Sequence, residues 1–362
     1  MPTELQQLRA ALDAVDVELL DAIARRQKLV AEIGDIKRRA GRATRDFARE
    51  KEVIDAARAR AVAAGVDADL AEDLMTRLIR ASLTAQEAAR VAAERHADGR
   101  RVLVIGGAGK MGRWFTQYFQ SQQSQVTIAD PRPVADAERW FPSWQEAGLD
   151  FDIIVVATDL ALTGRILAEL AAARPSGLVF DIGSLKTPLR DALHAAAAAD
   201  LQVTSLHPMF GPTTRLLSGK HMIFVDVGCA RATAAAKELF AATMVEQVDM
   251  QLDEHDRLIA YVLGLSHALN IAFFTALAES GEAVPRLRTM SSTTFDAQLS
   301  VAREVAAESP SLYFEIQHLN EFGLHPLAAL SDATDRLLAS VQSGDSEAFA
   351  ELMRNGSLYF ES

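Results

Sequence analysis

RVLVIGGAGKMG, Arg101 to Gly112, decides the architecture of most of this chain. A short apolar run ends in glycines, and Gly107, Gly109 and Gly112 are spaced as G-x-G-x-x-G. The triplet is a weak signal alone. Between a strand and a helix it is the turn over which a dinucleotide pyrophosphate approaches the backbone at a helix N-terminus. Lys110 and Met111, inside the triplet, join the glycines as candidate cofactor contacts. A carboxylate about 20 residues on should close the second strand. Asp130 does so at the end of QVTIAD (Gln125–Asp130). A carboxylate there binds the ribose hydroxyls of NAD and repels the 2′-phosphate of NADP. NAD is therefore the expected cofactor, with Arg132 close enough to leave NADP open.

Further strand-like runs follow: Asp152–Thr158, Leu178–Gly183, Val203–His207 and His221–Val227. Helix-length segments separate most of them, so residues 99–250 read as an α/β, Rossmann-type, doubly wound parallel sheet. Such sheets bind ligands at the carboxyl ends of their strands. Thr158 accordingly joins the cofactor site, and Ser184, Lys186 and His207 should meet near the nicotinamide. An isolated histidine is usually structural; one at a strand end and followed by proline is a candidate general base.

After Asp253 the strand signals stop, and residues 251–362 read as all-α, a substrate and dimerisation domain. Ile259–Ala278, about 20 residues without a charged side chain, passes a crude membrane-span filter. Ser266, His267 and Asn270 in its middle, with Asp253, Glu254 and Asp256 crowding its start, make it a buried helix of a soluble core instead. No membrane partner is expected.

Upstream, residues 1–98 read as three helices. Leu5, Leu8, Leu12, Val15, Leu19 and Ala22 open a seam that continues through Leu29, Ile33 and Ile36 to a stop at Gly41. A helix of that length spans about 55 Å, too long to be covered within one small domain, so a homodimer is expected. A second helix runs from Asp46 to Ala64, and a third from an N-cap at Asp67 to about Glu94. Arg26 falls where the seam calls for an apolar residue. Lys37 and Arg49 add cations, and the third helix carries the row Leu70, Leu74, Leu78, Ser82, Gln86, apolar and then polar. Cations in such positions need pairing, and a dianionic ligand would pair them.

At 362 residues the chain holds two or three domains. Its 49% apolar and 24% charged residues suit a globular protein. The single cysteine, Cys229, excludes an internal disulfide and fits a reducing, cytoplasmic setting; the N-terminus lacks a secretory pattern. A net charge of −12 argues against a nucleic-acid partner.

The spacing of Arg9, Arg26 and Lys37, with RDFARE (Arg45–Glu50) and SLTAQ (Ser82–Gln86), resembles the all-helical chorismate mutase class over residues 4–90. The resemblance implies a site of Arg9, Arg26, Lys37, Asp46, Arg49, Glu50, Ser82 and Gln86 in an intertwined dimer. Arg26 and Arg49 would fork onto two carboxylates, and Arg9 would reach in from the other subunit. Lys37 and Gln86 would bind the ether oxygen; Asp46, Glu50 and Ser82 would orient the ring hydroxyl and its neighbours. The pericyclic shift of chorismate to prephenate needs only a held conformer and stabilised developing charge.

GSLK (Gly183–Lys186) and HPMFGP (His207–Pro212) resemble the G-S-x-K and H-P-M-F-G-P of the prephenate dehydrogenase family, and above all of its bifunctional members. That resemblance covers residues 100–325. It implies that His207 takes the ring hydroxyl's proton as hydride leaves for NAD, after which decarboxylation gives 4-hydroxyphenylpyruvate, a step of tyrosine biosynthesis. Ser184 would orient His207, Lys186 and His267 would bind substrate, and His255 reads as helix surface. One departure stands out. Where relatives carry an arginine after a Ser-Ser pair, Ser291-Ser292-Thr293-Thr294-Phe295 leads to Asp296. Either another cation (Arg215, Lys220, Arg286, Arg288 or Arg303) replaces it, or the substrate is arogenate or 4-amino-4-deoxyprephenate. A third reading, a mutase with a non-catalytic nucleotide-binding regulatory module, is opposed by the presence of both Ser184 and His207. With no separate regulatory domain, any feedback by tyrosine is expected at the dehydrogenase site.

Overall fold

The computed structural model describes residues 3–135 and 137–361. Three helices come first: α1 (Glu4–Arg39), α2 (Phe47–Ala63) and α3 (Ala68–Glu94). Thr3 and Gln6 close a capping box on α1, Asp46 caps α2 through the Arg49 amide, and Asp67 caps α3. α3 packs against both α1 and α2. The seam of α1 stays uncovered, with Leu5, Leu8, Leu12, Val15 and Leu19 all exposed and no residue of the helix buried.

The central layer follows: β1 (Arg101–Ile105), α4 (Lys110–Ser121), β2 (Gln125–Ala129), β3 (Arg139–Phe141), α5 (Trp144–Ala147), β4 (Ile153–Val156), α6 (Leu160–Ala173), β5 (Leu178–Asp181), α7 (Arg190–Ala198), β6 (Val203–Pro208), β7 (His221–Val225), α8 (Ala230–Glu238) and β8 (Glu246–Met250). They form one sheet in the order β3-β2-β1-β4-β5-β6-β7-β8. Alternate residues of β1 face opposite cores: Leu103 and Ile105 pack with α6 and α7, Val102 and Val104 with α4 and α8. Strands buried on both faces read as continuous apolar runs.

Two corrections to the expected sheet arise here. β7 runs antiparallel to β6, because the connection at 209–220 carries no crossover helix and the chain turns straight back. β3 and β8 were not expected; β3 has three residues, and β8 (EQVDM) is half-exposed and polar, so neither carries a buried-strand pattern.

The rest is helical: α9 (Leu252–Ile259), a π-helical turn (Ala260–Leu265), α10 (Ser266–Glu279), α11 (Val284–Arg288), α12 (Thr293–Ala306), α13 (Pro310–His318), α14 (Leu324–Ser343) and α15 (Ser346–Glu361). Gln317 Nε2 donates to Gly264 O at 2.7 Å, satisfying a carbonyl within the wide turn. The expectation that Ile259–Ala278 is buried does not hold within one chain. Tyr261, Val262 and Leu269 are exposed, and Asn270 is the buried residue of α10. By length and composition Leu252–Glu279 is apolar enough to cross a membrane.

The mutase-like helices dock on the sheet domain through α3. Glu87, 3% exposed, accepts the amides of Leu217 (2.7 Å) and Met244 (2.5 Å). Burial pushes its carboxyl upward even though both N–H groups oppose the shift.

Candidate active sites

The helical site forms between α1 and α3. Arg26 is itself half-buried against α3, where desolvation lowers its guanidinium pKa. Its Nη1 donates to Ser82 Oγ (2.9 Å) and Leu78 O (3.3 Å). Gln86 Nε2 donates to Val30 O at 2.9 Å, and Lys37 Nζ to Thr44 O at 3.0 Å. Ser82, Gln86 and Thr44 line a crevice of about 140 Å³. Gly34, which the sequence reading passed over, belongs here: a Cβ at that position would lie 2.9 Å from Gln86 Cγ. The glycine lets α1 close onto α3 with Gln86 between them.

The remaining mutase candidates lie elsewhere within one chain. Asp46 spends its carboxylate capping α2. Glu50 is paired with Arg45 at 2.9 and 3.0 Å, and Arg45 also reaches Ser218 Oγ of the sheet domain. Arg49 is exposed and paired with Glu52, and Arg9 is exposed on α1. The structure thus places Ser82 and Gln86 in the crevice wall, ties Arg26 and Lys37 to it through Ser82 and Thr44, and leaves Arg9, Asp46, Arg49 and Glu50 outside it.

The second site lies at the carboxyl ends of β1, β4, β5 and β6. Gly112 packs against the preceding turn so closely that a Cβ would sit 2.2 Å from Gly106 O. Asp130 is buried at the end of β2, accepting Ala108 N (3.1 Å) on one oxygen and Arg132 N (2.9 Å) on the other. Gly106, Gly109, Asp130 and Thr158 line a cleft of about 550 Å³. Gly107 is the second residue of the turn and Gly109 caps α4, whose first residues are Lys110 and Met111. The glycines of the turn and the carboxylate beyond it fit a dinucleotide. Lys110 bonds Glu308 of the C-terminal helices at 3.1 Å.

His207 is the penultimate residue of β6 and is 4% exposed. Its Nδ1 lies 2.9 Å from Nε2 of His255, whose Nδ1 lies 2.6 Å from Asp256 Oδ1. Burial, then the nearness of His255 and Lys186, lowers the His207 pKa well below the ordinary imidazole value. Burial lowers that of His255 as well, against the pull of Asp256. Asp256 is itself buried, which pushes its pKa up; hydrogen bonds from His255 and Thr187 outweigh this and hold it low.

Two expectations are corrected here. His255 is not surface: it is fully enclosed. Leu252, His255, Asp256 and Ile259 form the buried stripe of α9 at i, i+3, i+4, i+7 spacing, but its two polar central positions hide it from a search for apolar periodicity. Lys186 does not face substrate. Fully buried, its Nζ donates to Asp181 Oδ1 (3.1 Å), Gly183 O (2.7 Å) and Leu206 O (2.7 Å), clamping the ends of β5 and β6 together. Desolvation lowers its pKa although Asp181 opposes the shift. Ser184 is half-buried beside it and makes no hydrogen bond to His207 among the described residues. His267 stacks on Tyr313 with ring centroids 4.0 Å apart, and its buried Nδ1 has no partner among the described residues. Asp296 accepts from Ser291 Oγ at 2.8 Å and is exposed.

A glycine turn, a buried carboxylate beyond it and a buried histidine near a strand end are features of a nicotinamide-dependent dehydrogenase. Comparison with known proteins makes the class specific. The chorismate mutase type II model matches residues 8–87, the prephenate dehydrogenase nucleotide-binding domain residues 127–245, and the prephenate dehydrogenase dimerization domain residues 251–355. The chain is 29% identical over 350 residues to the T-protein of Enterobacter agglomerans, covering 96% of this chain and 91% of that one. It is 31% identical over 263 residues to the 4-amino-4-deoxyprephenate dehydrogenase of Streptomyces pristinaespiralis, covering 70% and 88%. Prephenate dehydrogenase from Aquifex aeolicus, solved with hydroxyphenyl propionate and NAD+, shares the fold at a TM-score of 0.55 and 17% identity, over 72% of this chain and 98% of that one. This chain belongs to the prephenate dehydrogenase family and carries a type II chorismate mutase domain in front of the dehydrogenase.

Proposed function

We propose that the helical crevice rearranges chorismate to prephenate, and that the sheet domain oxidatively decarboxylates prephenate to 4-hydroxyphenylpyruvate. The chain is a chorismate mutase and an NAD-dependent prephenate dehydrogenase of tyrosine biosynthesis. The first activity rests on Ser82 and Gln86 in the crevice wall, with Arg26 and Lys37 bonded to its lining residues Ser82 and Thr44. Their donors hold the compact dianionic conformer and stabilise charge on the breaking ether oxygen. A second copy of the chain supplies Arg9, and covering α1 would bury its seam.

The second activity rests on His207, whose Nδ1 is engaged by His255 while Nε2 remains for substrate. NAD, when bound, supplies the hydride acceptor. Gly107, Gly109, Lys110, Met111 and Gly112 hold its pyrophosphate, and Asp130 and Thr158 the neighbouring groups. His207 Nε2 accepts the ring hydroxyl's proton and keeps it available for the phenolate oxygen that remains after carbon dioxide leaves. Ser184 and His267 orient the substrate. The single cysteine fits a cytoplasmic enzyme, and tyrosine, as end product, would compete at the dehydrogenase site.

Asp296 favours one alternative substrate. A carboxylate there suits a ring-bound ammonium, and the relative with 31% identity is named for 4-amino-4-deoxyprephenate. The test follows NADH absorbance with chorismate plus NAD, and then with prephenate, arogenate and 4-amino-4-deoxyprephenate separately. NADH from chorismate and from prephenate is expected. Chorismate loss without NADH, with turnover of the amino substrate, would replace prephenate as the second substrate.

A further inference from the structure

We propose that His255 and Asp256 form with His207 a directional hydrogen-bond relay that locks His207 in the one tautomer able to act as a base. The proposal deepens the assignment of His207 and rests on it. It begins at Asp256. This carboxylate takes donors from Lys186 N (2.8 Å), Thr187 N (2.7 Å) and Thr187 Oγ1 (2.6 Å), which hold it as an anion. An ionised carboxylate only accepts, so His255 Nδ1 at 2.6 Å carries the proton. A neutral imidazole has one N–H, so His255 Nε2 holds a lone pair and accepts from His207 Nδ1 at 2.9 Å. His207 is left with an unprotonated Nε2.

Burial of His255, fully enclosed, keeps it neutral. Were it protonated, both its nitrogens would donate and His207 would be forced into the opposite tautomer. Lys186 fixes the register of the relay: its amide binds Asp256, and its ammonium binds Leu206 O immediately before His207. Asn320 Nδ2 pins the Asp256 carbonyl at 2.9 Å. When Nε2 takes the substrate proton, the new positive charge on His207 faces Asp256 through His255.

The polarity of the relay dictates the test. In Asp256→Asn the oxygen stays with Thr187 and the amide NH2 faces His255 Nδ1. Protons then shift along the chain and His207 becomes protonated on Nε2. A wrong-tautomer base of this kind loses about 100-fold or more in kcat. His255→Leu breaks the relay. His255→Gln preserves it, with NH2 toward Asp256 and the carbonyl toward His207.

The expected result is that Asp256→Asn and His255→Leu each lower dehydrogenase kcat about 100-fold with KM for prephenate changed less than about threefold, and that His255→Gln recovers most of the loss. Histidine 15N shifts, with His207→Asn identifying the resonance, read the tautomer without substrate: Nε2 unprotonated in the parent chain, protonated in Asp256→Asn. Parent-like kcat in Asp256→Asn and His255→Leu, His255→Gln as inactive as His255→Leu, or an unmoved His207 signal in Asp256→Asn would overturn the relay. An active His207→Asn would instead refute His207 as the base, and the tautomer measurement would still judge the relay.

Discussion

His207 shows how far one residue's chemistry is set by its surroundings. Its motif is readable in the sequence, but its lowered pKa comes first from enclosure beneath α9 and then from having His255 and Lys186 beside it, two groups that oppose a further positive charge. A base works only when unprotonated, and a lowered pKa keeps it unprotonated to lower pH. The acid limb of dehydrogenase kcat/KM should therefore fall below about 6.5, the ordinary imidazole value. A pH profile measures this, and a limb at or above that value would contradict it. Lys186 carries the converse lesson. Its position in GSLK marked it as a ligand-facing cation, but three oxygens of its own chain enclose it. Which way a lysine points after a strand end depends on the neighbouring strand, here Leu206 on β6, and no local pattern records that.

At the scale of elements, the glycine turn was fully legible because its constraint is local. Gly112 sits on the first turn of α4 against Gly106 O, and a methyl group there would meet backbone 2.2 Å away. Gly112→Ala should therefore push α4 off β1 and raise the dissociation constant for NAD about tenfold or more, with mutase turnover unchanged. Fluorescence titration with NAD, beside a chorismate-loss assay, reads both; unchanged NAD affinity would remove the turn from the cofactor site. The three N-terminal helices were equally legible, since Thr3, Asp46 and Asp67 cap them locally. α9 was not. Its stripe reads as surface because two of its four buried positions are His255 and Asp256, which become core only through mutual bonding and the Lys186 and Thr187 amides.

At the scale of the molecule, the two catalytic units are tied by one buried carboxylate. Glu87 follows Gln86 of the mutase crevice, and it binds Leu217 and Met244, on loops of the sheet domain. Leu217 lies on the 209–220 connection that leads on from His207. Removing the side chain strands two amides, and hydrogen bonds to a charged group contribute about 1.5–3 kcal/mol each. Glu87→Ala should destabilise the docked arrangement by about 2–4 kcal/mol. Calorimetry should then show the helical domain melting ahead of the sheet domain. A single unshifted transition would show that Glu87 carries no part of the docking. The exposed seam of α1 and the exposed face of Leu252–Glu279 also belong to this scale, and the dimerization-domain match over 251–355 points to a second copy as the cover for the latter.

By itself the sequence determined what depends on near neighbours: helix periods and caps, the apolar strands, the dinucleotide turn with Asp130, and the motifs that carry Arg26, Lys37, Ser82, Gln86 and His207. Only the tertiary structure decided the reversal of β7, the addition of β3 and β8, the enclosure of Lys186 and the joining of His207 to His255 and Asp256. Those outcomes are set by groups brought together from distant parts of the chain. A buried hydrogen bond between His207 and a helix beginning at Leu252 leaves no trace in the residues that flank either partner.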